Sequence, residues 1–228
     1  MGILRVVAGP IGNLGDFSPR AQSALADSEA VFVEDTRVSA RLLTAMELKV
    51  PFLILNEHTN PAKIREYAER VVESETDFAL LTDAGTPGIS DPGALLADEI
   101  WSLGGKVEPI PGASAVTTAL SACGFFAQRF AFLGFLPRKP GAIREILEPF
   151  ADSTMTLVFF ESPHRFLKTL SACNDVLGDR RVAICRELTK LHEQIWRGSL
   201  NSLPSEKVVP AKGEFTIVVE GSRRRAND

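Results

Sequence analysis

Residues 80–96 read LLTDAGTPGISDPGALL. The apolar run Phe78–Thr82 ends in a polar loop holding Asp83, Gly85, Pro87, Gly88, Asp91, Pro92 and Gly93, and a helix-like pattern resumes at Ala94. A short apolar run closed by turn residues reads as a buried strand, and a helix straight after it reads as part of a βαβ unit. Working outward, the same rhythm recurs. Strands are expected at Ile3–Ala8, Ala30–Glu34, Phe52–Leu55 and Lys106–Ile110, with helices near Pro19–Ala26, Ser39–Met46, Ala62–Glu73 and Ala94–Leu103. The third helix carries Ile64, Tyr67, Ala68, Val71 and Val72 on one face. Ser18 before Pro19 reads as an N-cap followed by a helix-starting proline. The alternation predicts an open, mostly parallel sheet with helices on both faces.

The second half has another texture. Strands are expected at Phe130–Leu136, Thr156–Phe160, Val182–Cys185, Gln194–Leu200 and Phe215–Glu220, with helices at Ala142–Phe150 and Pro163–Leu177. Strands crowd toward the C-terminus with little room for crossover helices, so this sheet is expected to be mixed or antiparallel. The reading is an α/β protein of two domains, 1–117 and 118–228, joined near PGASAVTTALSACG (Pro111–Gly124).

Composition narrows the function classes. Of 228 residues, 45% are hydrophobic, enough for one large core or two modest ones. No apolar run approaches the ~20 residues of a membrane span. The N-terminal MGILRVVAGP lacks the basic and long apolar regions of a secretory signal, and Val6 breaks a myristoylation motif. A cytoplasmic protein is expected. Cys123, Cys173 and Cys185 are odd in number, far apart and set among apolar residues, which reads as buried free thiols. No spacing suggests a metal site. A net charge of -4 argues mildly against nucleic acid, yet basic residues cluster in Pro137–Arg144 and in Ser222–Arg225.

In open parallel sheets, ligands bind beyond the carboxyl ends of the strands. Five such ends carry loaded segments: AGPIGNLGD, EDTR, NEHTNP, TDAGTPGISDPG and PGASA, in chain order. One such loop is ordinarily a turn; five on one edge predict a ligand cleft. The glycines are not spaced as in a dinucleotide fold, and no P-loop is present. Glycines admit a ligand close to the backbone, while prolines stiffen the loop without adding donors. The expected ligand is polar and near neutral rather than a triphosphate.

GPIGNLGD, EDTR, DAGTPGISDPG, PGASAVTTALSACG, GFLPRK, FFESPHR, RELTKLHE and GEFTIVVEG follow one another along the chain. Together they resemble the bacterial small-subunit ribosomal RNA methyltransferase I family of the tetrapyrrole methylase superfamily, from about Val6 to Gly221. The resemblance implies two α/β domains with S-adenosyl-L-methionine folded into a cleft between them. It implies methyl transfer to the ribose 2′-oxygen of a cytidine in the decoding region of 16S rRNA, by a homodimer. Gly9 and Val38-Ser39 depart from the usual family motifs, where Thr and His-Thr are common. Many members also continue into a further C-terminal segment. The alternatives are a same-fold precorrin methyltransferase and a non-catalytic assembly factor that keeps the cofactor cleft; a nucleotide hydrolase is disfavoured by the missing P-loop lysine.

The resemblance further implies which residues touch the cofactor. In the first half they are Pro10, Asp83, Gly85, Thr86, Pro87, Gly88, Ile89, Asp91, Ser114 and Ala115. In the second half they are Phe160, Leu188, Gly213, Phe215 and Thr216. Asp83, at a strand end, suits a cationic sulfonium or ammonium. Asp91, before Pro92, is expected to cap the next helix. Candidate bases or orienters are Glu34, Asp35, Glu57, His58, Glu161 and His164. Glu34 and Asp35 should point to opposite sides, one into the cleft and one onto Arg37 or a backbone group. Asp35 or Glu161 is expected to assist deprotonation, with Arg37 catalytic beside them, although Glu161 pairing structurally with Arg165 is an equal alternative. Arg138, Lys139, His164, Arg165, Arg186 and Lys190 are expected to contact RNA, together with Arg37. Single-stranded or irregular RNA is expected, because a ribose hydroxyl must reach the cleft.

Overall fold

A computed structural model describes residues 1–223, in two compact units, Met1–Ser114 and a second beginning at Ala115. The first unit alternates β1 (Ile3–Val7), α1 (Pro19–Ala26), β2 (Val31–Val33), α2 (Thr36–Ala45), β3 (Phe52–Ile54), α3 (Pro61–Glu73), β4 (Phe78–Leu81), α4 (Ala94–Ser102) and β5 (Lys106–Ile110). Its sheet runs β3-β2-β4-β1-β5 and every pairing is parallel. The central strands are buried on both faces, as their unbroken apolar runs require. Leu4, Phe32, Phe78 and Leu80 pack with Ile64, Ala68 and Val71 of α3 and with Leu96 and Ile100 of α4. Val7, Val31, Val33, Ala79 and Leu81 pack on the opposite face, with Ala21 and Leu25 of α1 and Leu43 of α2. Parallel pairing puts all five carboxyl ends on one edge.

The second unit comprises α5 (Ala115–Cys123), β6 (Phe130–Phe135), α6 (Pro140–Leu147), β7 (Thr156–Glu161), α7 (Phe166–Leu177), β8 (Arg181–Arg186), β9 (Gln194–Ser199) and β10 (Phe215–Val219). The sheet is mixed, in the order β6-β7-β10-β8-β9, with only β6 and β7 parallel. Leu157, Phe159, Ile184, Ile217 and Val219 form a core with Ile143 and Leu147 of α6 and Phe166, Leu170 and Cys173 of α7. Phe215 lies opposite both Glu161 and Arg186. The ends of β7 and β8 and the start of β10 therefore share one edge.

The division at Ser114/Ala115 falls inside the stretch read as the junction, and that stretch also contains α5, whose buried Val116, Ala119, Leu120 and Cys123 form a helical stripe. Two helix starts differ from the expectation. The helix α2 begins at Thr36, three residues early, because the Asp35 carboxylate accepts from the Arg37 N–H and caps it. The helix α7 begins at Phe166, because Ser162–Arg165 close into a turn in which the Arg165 N–H donates to the Ser162 carbonyl. Ser18 caps α1 as expected. All three cysteines are free and buried. Among the described residues no helix is long and apolar enough to cross a membrane. The basic cluster at Ser222–Arg225 lies partly outside the described residues.

Candidate functional site

In the first unit, three of the loaded loops are knitted into one surface. The Gly9 N–H donates to the Gly85 carbonyl at 2.8 Å, and the Thr86 hydroxyl donates to the Ala113 carbonyl at 3.1 Å. The segments after β1, β4 and β5 are thus held together by groups far apart in sequence. Gly85 has φ +79°, and a Cβ there would come within 3.3 Å of Ile11. Gly88 has φ +80°, and a Cβ there would meet nothing nearer than the Ala94 nitrogen at 4.0 Å, so its need for glycine comes from the backbone conformation. Ser90 adopts φ 61° without being glycine, a strained conformation of the kind that gathers at binding loops. Pro87 is buried, Pro10 and Thr86 half-buried, and Ile89 exposed.

Carboxylates crowd this edge. Burial pushes the Glu34 carboxyl up, and the negative charges of Asp83, Asp91, Glu57 and Asp35 push it further. Asp83 is likewise raised, chiefly by burial, against a stabilising hydrogen bond from the Asp35 backbone. Burial carries Asp91 up to about 6. Among the described residues, none of the three has a salt-bridge partner. Like charges held together without a cation cost free energy unless a positive ligand joins them.

Two expectations fail here. Asp91 does not cap α4; Gly93 occupies the N-cap with φ 124° and makes no side-chain bond. The Asp91 carboxylate instead turns back toward the Thr82 hydroxyl, 3.5 Å away. Asp35, expected as a base, is consumed locally. It accepts from the Arg37 N–H at 2.8 Å and from the Arg37 guanidinium at 2.6 Å. These bonds hold its carboxyl at about 2, too acidic to collect a proton. Arg37 is neutralised by the same contact. The charges of Asp83 and Asp91 bear on Glu34, whereas Asp35 meets Asp83 through its backbone and spends its carboxylate on Arg37. Glu57 and His58 are exposed and 3.5 Å apart.

In the second unit, alternation again sorts the candidates. Glu161 and Phe160 project from opposite faces of β7, so they cannot serve one ligand on one face. The Glu161 side chain is fully buried toward α7. It accepts from the Ser162 N–H at 2.7 Å and the Thr169 hydroxyl, and lies 3.4 Å from Arg165. This is the arrangement of the structural alternative, Glu161 paired with Arg165. Arg165 passes the restraint on, donating to the Leu136 and Pro137 carbonyls at 3.1 and 2.9 Å. The PRK and SPHR segments, 28 residues apart, are thereby joined. Arg186 is buried and donates to the Lys212 and His192 carbonyls, which corrects its assignment as a phosphate contact. Lys190 is paired with Glu187 and Glu214. Phe215 is in the core, stacked on Phe166 with centroids 4.7 Å apart, and its side chain is unavailable to a ligand. Leu188 is buried, and Gly213 has φ +93°. Phe160 and Thr216 lie side by side across β7 and β10. Arg138, Lys139 and His164 are exposed at this edge. Exposed Arg144 in α6, the last residue of the basic cluster, extends their charge, as does exposed Lys168 in α7, which the motif reading passed over.

Residues 4–204 match the Tetrapyrrole (Corrin/Porphyrin) Methylases family. The chain is 40% identical to Ribosomal RNA small subunit methyltransferase I of Bacillus subtilis, over 100% of this chain and 78% of that protein. Identity to the protein of that name is 44% in Pseudomonas aeruginosa, over 96% of this chain and 79% of the relative. In Thermotoga maritima it is 41%, over 97% and 99% respectively. The chain belongs to the ribosomal RNA small subunit methyltransferase I family. Among solved structures it resembles the methyltransferase CobJ, with TM-score 0.71, 17% identity and coverage of 99% of this chain and 98% of that one. It also resembles a diphthine synthase, with TM-score 0.68, 15% identity and coverage of 96% and 90%. At such identities the likeness concerns the fold alone. As a member of the methyltransferase I family the chain is a methyltransferase, and the uncompensated carboxylates of the first unit fit a cofactor that carries positive charge. Among the described residues no group of His, Cys, Asp and Glu is arranged to hold a metal ion.

Proposed function

We propose that this chain methylates the ribose 2′-oxygen of a cytidine in the decoding region of 16S rRNA, with S-adenosyl-L-methionine as donor. The observation that carries this reading is identity of 40–44% to ribosomal RNA methyltransferases along nearly the whole chain. When bound, S-adenosyl-L-methionine supplies a methyl group on a cationic sulfur. Asp83 and Asp91 hold its positive groups, and the backbone of Pro10 and of the segment Gly85–Ile89 receives it at close range. Ser114, Ala115, Phe160, Leu188, Gly213 and Thr216 are assigned to it through the family resemblance. Glu34 is the carboxylate suited to take the hydroxyl proton, since its proton affinity is raised while that of Asp35 is suppressed.

Charge is divided between the units in a way that supports this. The sequence has nine Lys and Arg against seventeen Asp and Glu in residues 1–114, and sixteen against twelve in 115–228. The acidic unit suits a cationic donor and the basic unit suits phosphates. Arg138, Lys139 and His164 are the phosphate contacts, and Arg165 sets their loop. The proposal includes a homodimer working in the cytoplasm, as the family resemblance implies.

The test is incubation of the purified protein with labelled donor and either small ribosomal subunits or a precorrin, followed by mapping of the methyl group. Label on a 16S ribose is expected. Label on the precorrin, or on neither, overturns the reading.

A further inference from the structure

The edge of the second unit's sheet opposite the one just described carries its own pattern of arginines and exposed aromatics. There β6, β7 and β8 begin and β9 and β10 end. The segment FFAQRF, Phe125–Phe130, approaches β6 and is pinned twice by Thr156, whose hydroxyl donates to the Phe126 carbonyl at 2.6 Å and whose N–H donates to the Arg129 carbonyl at 3.1 Å. Pinning at both ends presents Phe126 and Phe130 outward, 65% and 42% exposed. The guanidinium groups of Arg181 and Arg197 lie 4.8 and 5.2 Å from the buried Phe125 ring. The C-terminal strand brings Arg223 to the same end, where the Ser222 N–H donates to the Ser153 carbonyl at 2.7 Å.

The charge at this end is not balanced. Glu220 is shared between Arg181 and Arg223. Asp179 is held by Ser199 and the Asn201 N–H, and Asp152 stands near the buried Arg180. Arg129 and Arg197, both exposed, have no carboxylate partner among the described residues. Exposed phenylalanines beside exposed arginines that lack carboxylate partners, on a segment pinned at two points, suit unstacked bases joined by phosphates. An acidic protein surface would use the charges and leave the rings without a partner.

We infer that this edge is a second RNA-contact surface, remote from the PRK and SPHR edge, which grips a single-stranded or irregular segment of the RNA substrate. Arg129 and Arg197 take phosphates, and Phe126 and Phe130 stack on bases. A large RNA held at both edges of one sheet is fixed in orientation as well as position. The inference rests on the rRNA reading above and adds a site that reading does not use.

The experiment compares wild type with R129Q/R197Q and with F126S, measuring binding to 16S rRNA by filter retention across a salt series, alongside methyl transfer to small subunits. R129Q alone separates lost phosphate contact from a folding defect, since the fold uses only the backbone carbonyl of Arg129, whereas R197Q also removes the contact with Phe125. The double arginine variant is expected to bind RNA roughly tenfold more weakly, and to lower the slope of log affinity against log salt by about two. F126S should weaken binding with the slope unchanged. Transfer at saturating RNA should stay within about twofold of wild type, because the donor and its carboxylates are untouched. Unchanged affinity and slope in the double variant would overturn the inference. Failure of wild type itself to methylate rRNA would instead overturn the proposed function.

Discussion

Asp91 shows how a single residue links burial to ligand charge. Its carboxyl is raised from 3.8 to about 6, chiefly by burial and further by Asp83. The folded protein therefore holds a proton more tightly than the unfolded chain does. Stability from this group is present below about pH 4 and is lost as pH rises through about 6. A cationic donor needs the opposite protonation state. Calorimetry with S-adenosyl-L-methionine should show affinity weakening as pH falls below 6, approaching about tenfold per unit, with the step abolished in D91N. Glu161 makes a different case, because it touches protein on every side. Glu161→Gln should cost roughly 2 kcal/mol of stability, because the buried Thr169 and Arg165 contacts are weakened. It should also loosen the Leu136–Pro137 carbonyl anchors and weaken RNA binding, while donor affinity measured by calorimetry stays at the wild-type value.

At the scale of elements, the start of β10 is set by a close approach. Gly213 has φ +93°, and a Cβ there would fall 2.5 Å from the Glu187 carboxyl carbon. That carboxylate accepts from the Glu214 N–H and pairs with Lys190, so it cannot simply swing aside. Gly213→Ala should lower stability by about 2 kcal/mol, from backbone strain and the displaced Glu187, read as a shifted urea midpoint at unchanged slope. The strands of the first unit were legible because each is a short apolar run between turn residues. The helix α5 was not, although Val116, Ala119, Leu120 and Cys123 have helical spacing; it lies in the stretch read as the joint between the domains, just beyond the division at Ser114/Ala115. The start of α7 was misplaced for a related reason. Ser162-Pro163 is a common helix opening, but Ser162–Arg165 form a turn that delivers Arg165 to carbonyls of the preceding loop.

Across the whole molecule, charge separates along the chain more sharply than the net value of -4 conveys. An acidic first unit and a basic second unit should respond differently to salt. RNA affinity should fall steeply with rising salt, with a log–log slope of several units, while donor affinity changes by less than about twofold, since it rests on partly buried carboxylates and backbone groups. Parallel titrations at low and high salt distinguish the two. Equal salt responses would mean that the donor site is as exposed as the RNA surface.

By itself the sequence determined the parallel architecture of the first unit, the mixed sheet of the second and the family, because each is written in local patterns: strand length, turn residues and motif order. It also located the loops that form the candidate site. Only the tertiary structure decided which side chains in those loops are free. Asp35 and Glu34 are neighbours in the chain, yet the carboxylate of one is tied to Arg37 while that of the other feels the charges of Asp83 and Asp91 in a distant loop. Glu161, Arg186 and Phe215 carry suitable chemistry and are occupied by Thr169, Lys212 and Phe166. The physical reason is that a polar group's availability depends on partners brought close by folding. Strand alternation and packing choose those partners, and spacing along the chain does not reveal them.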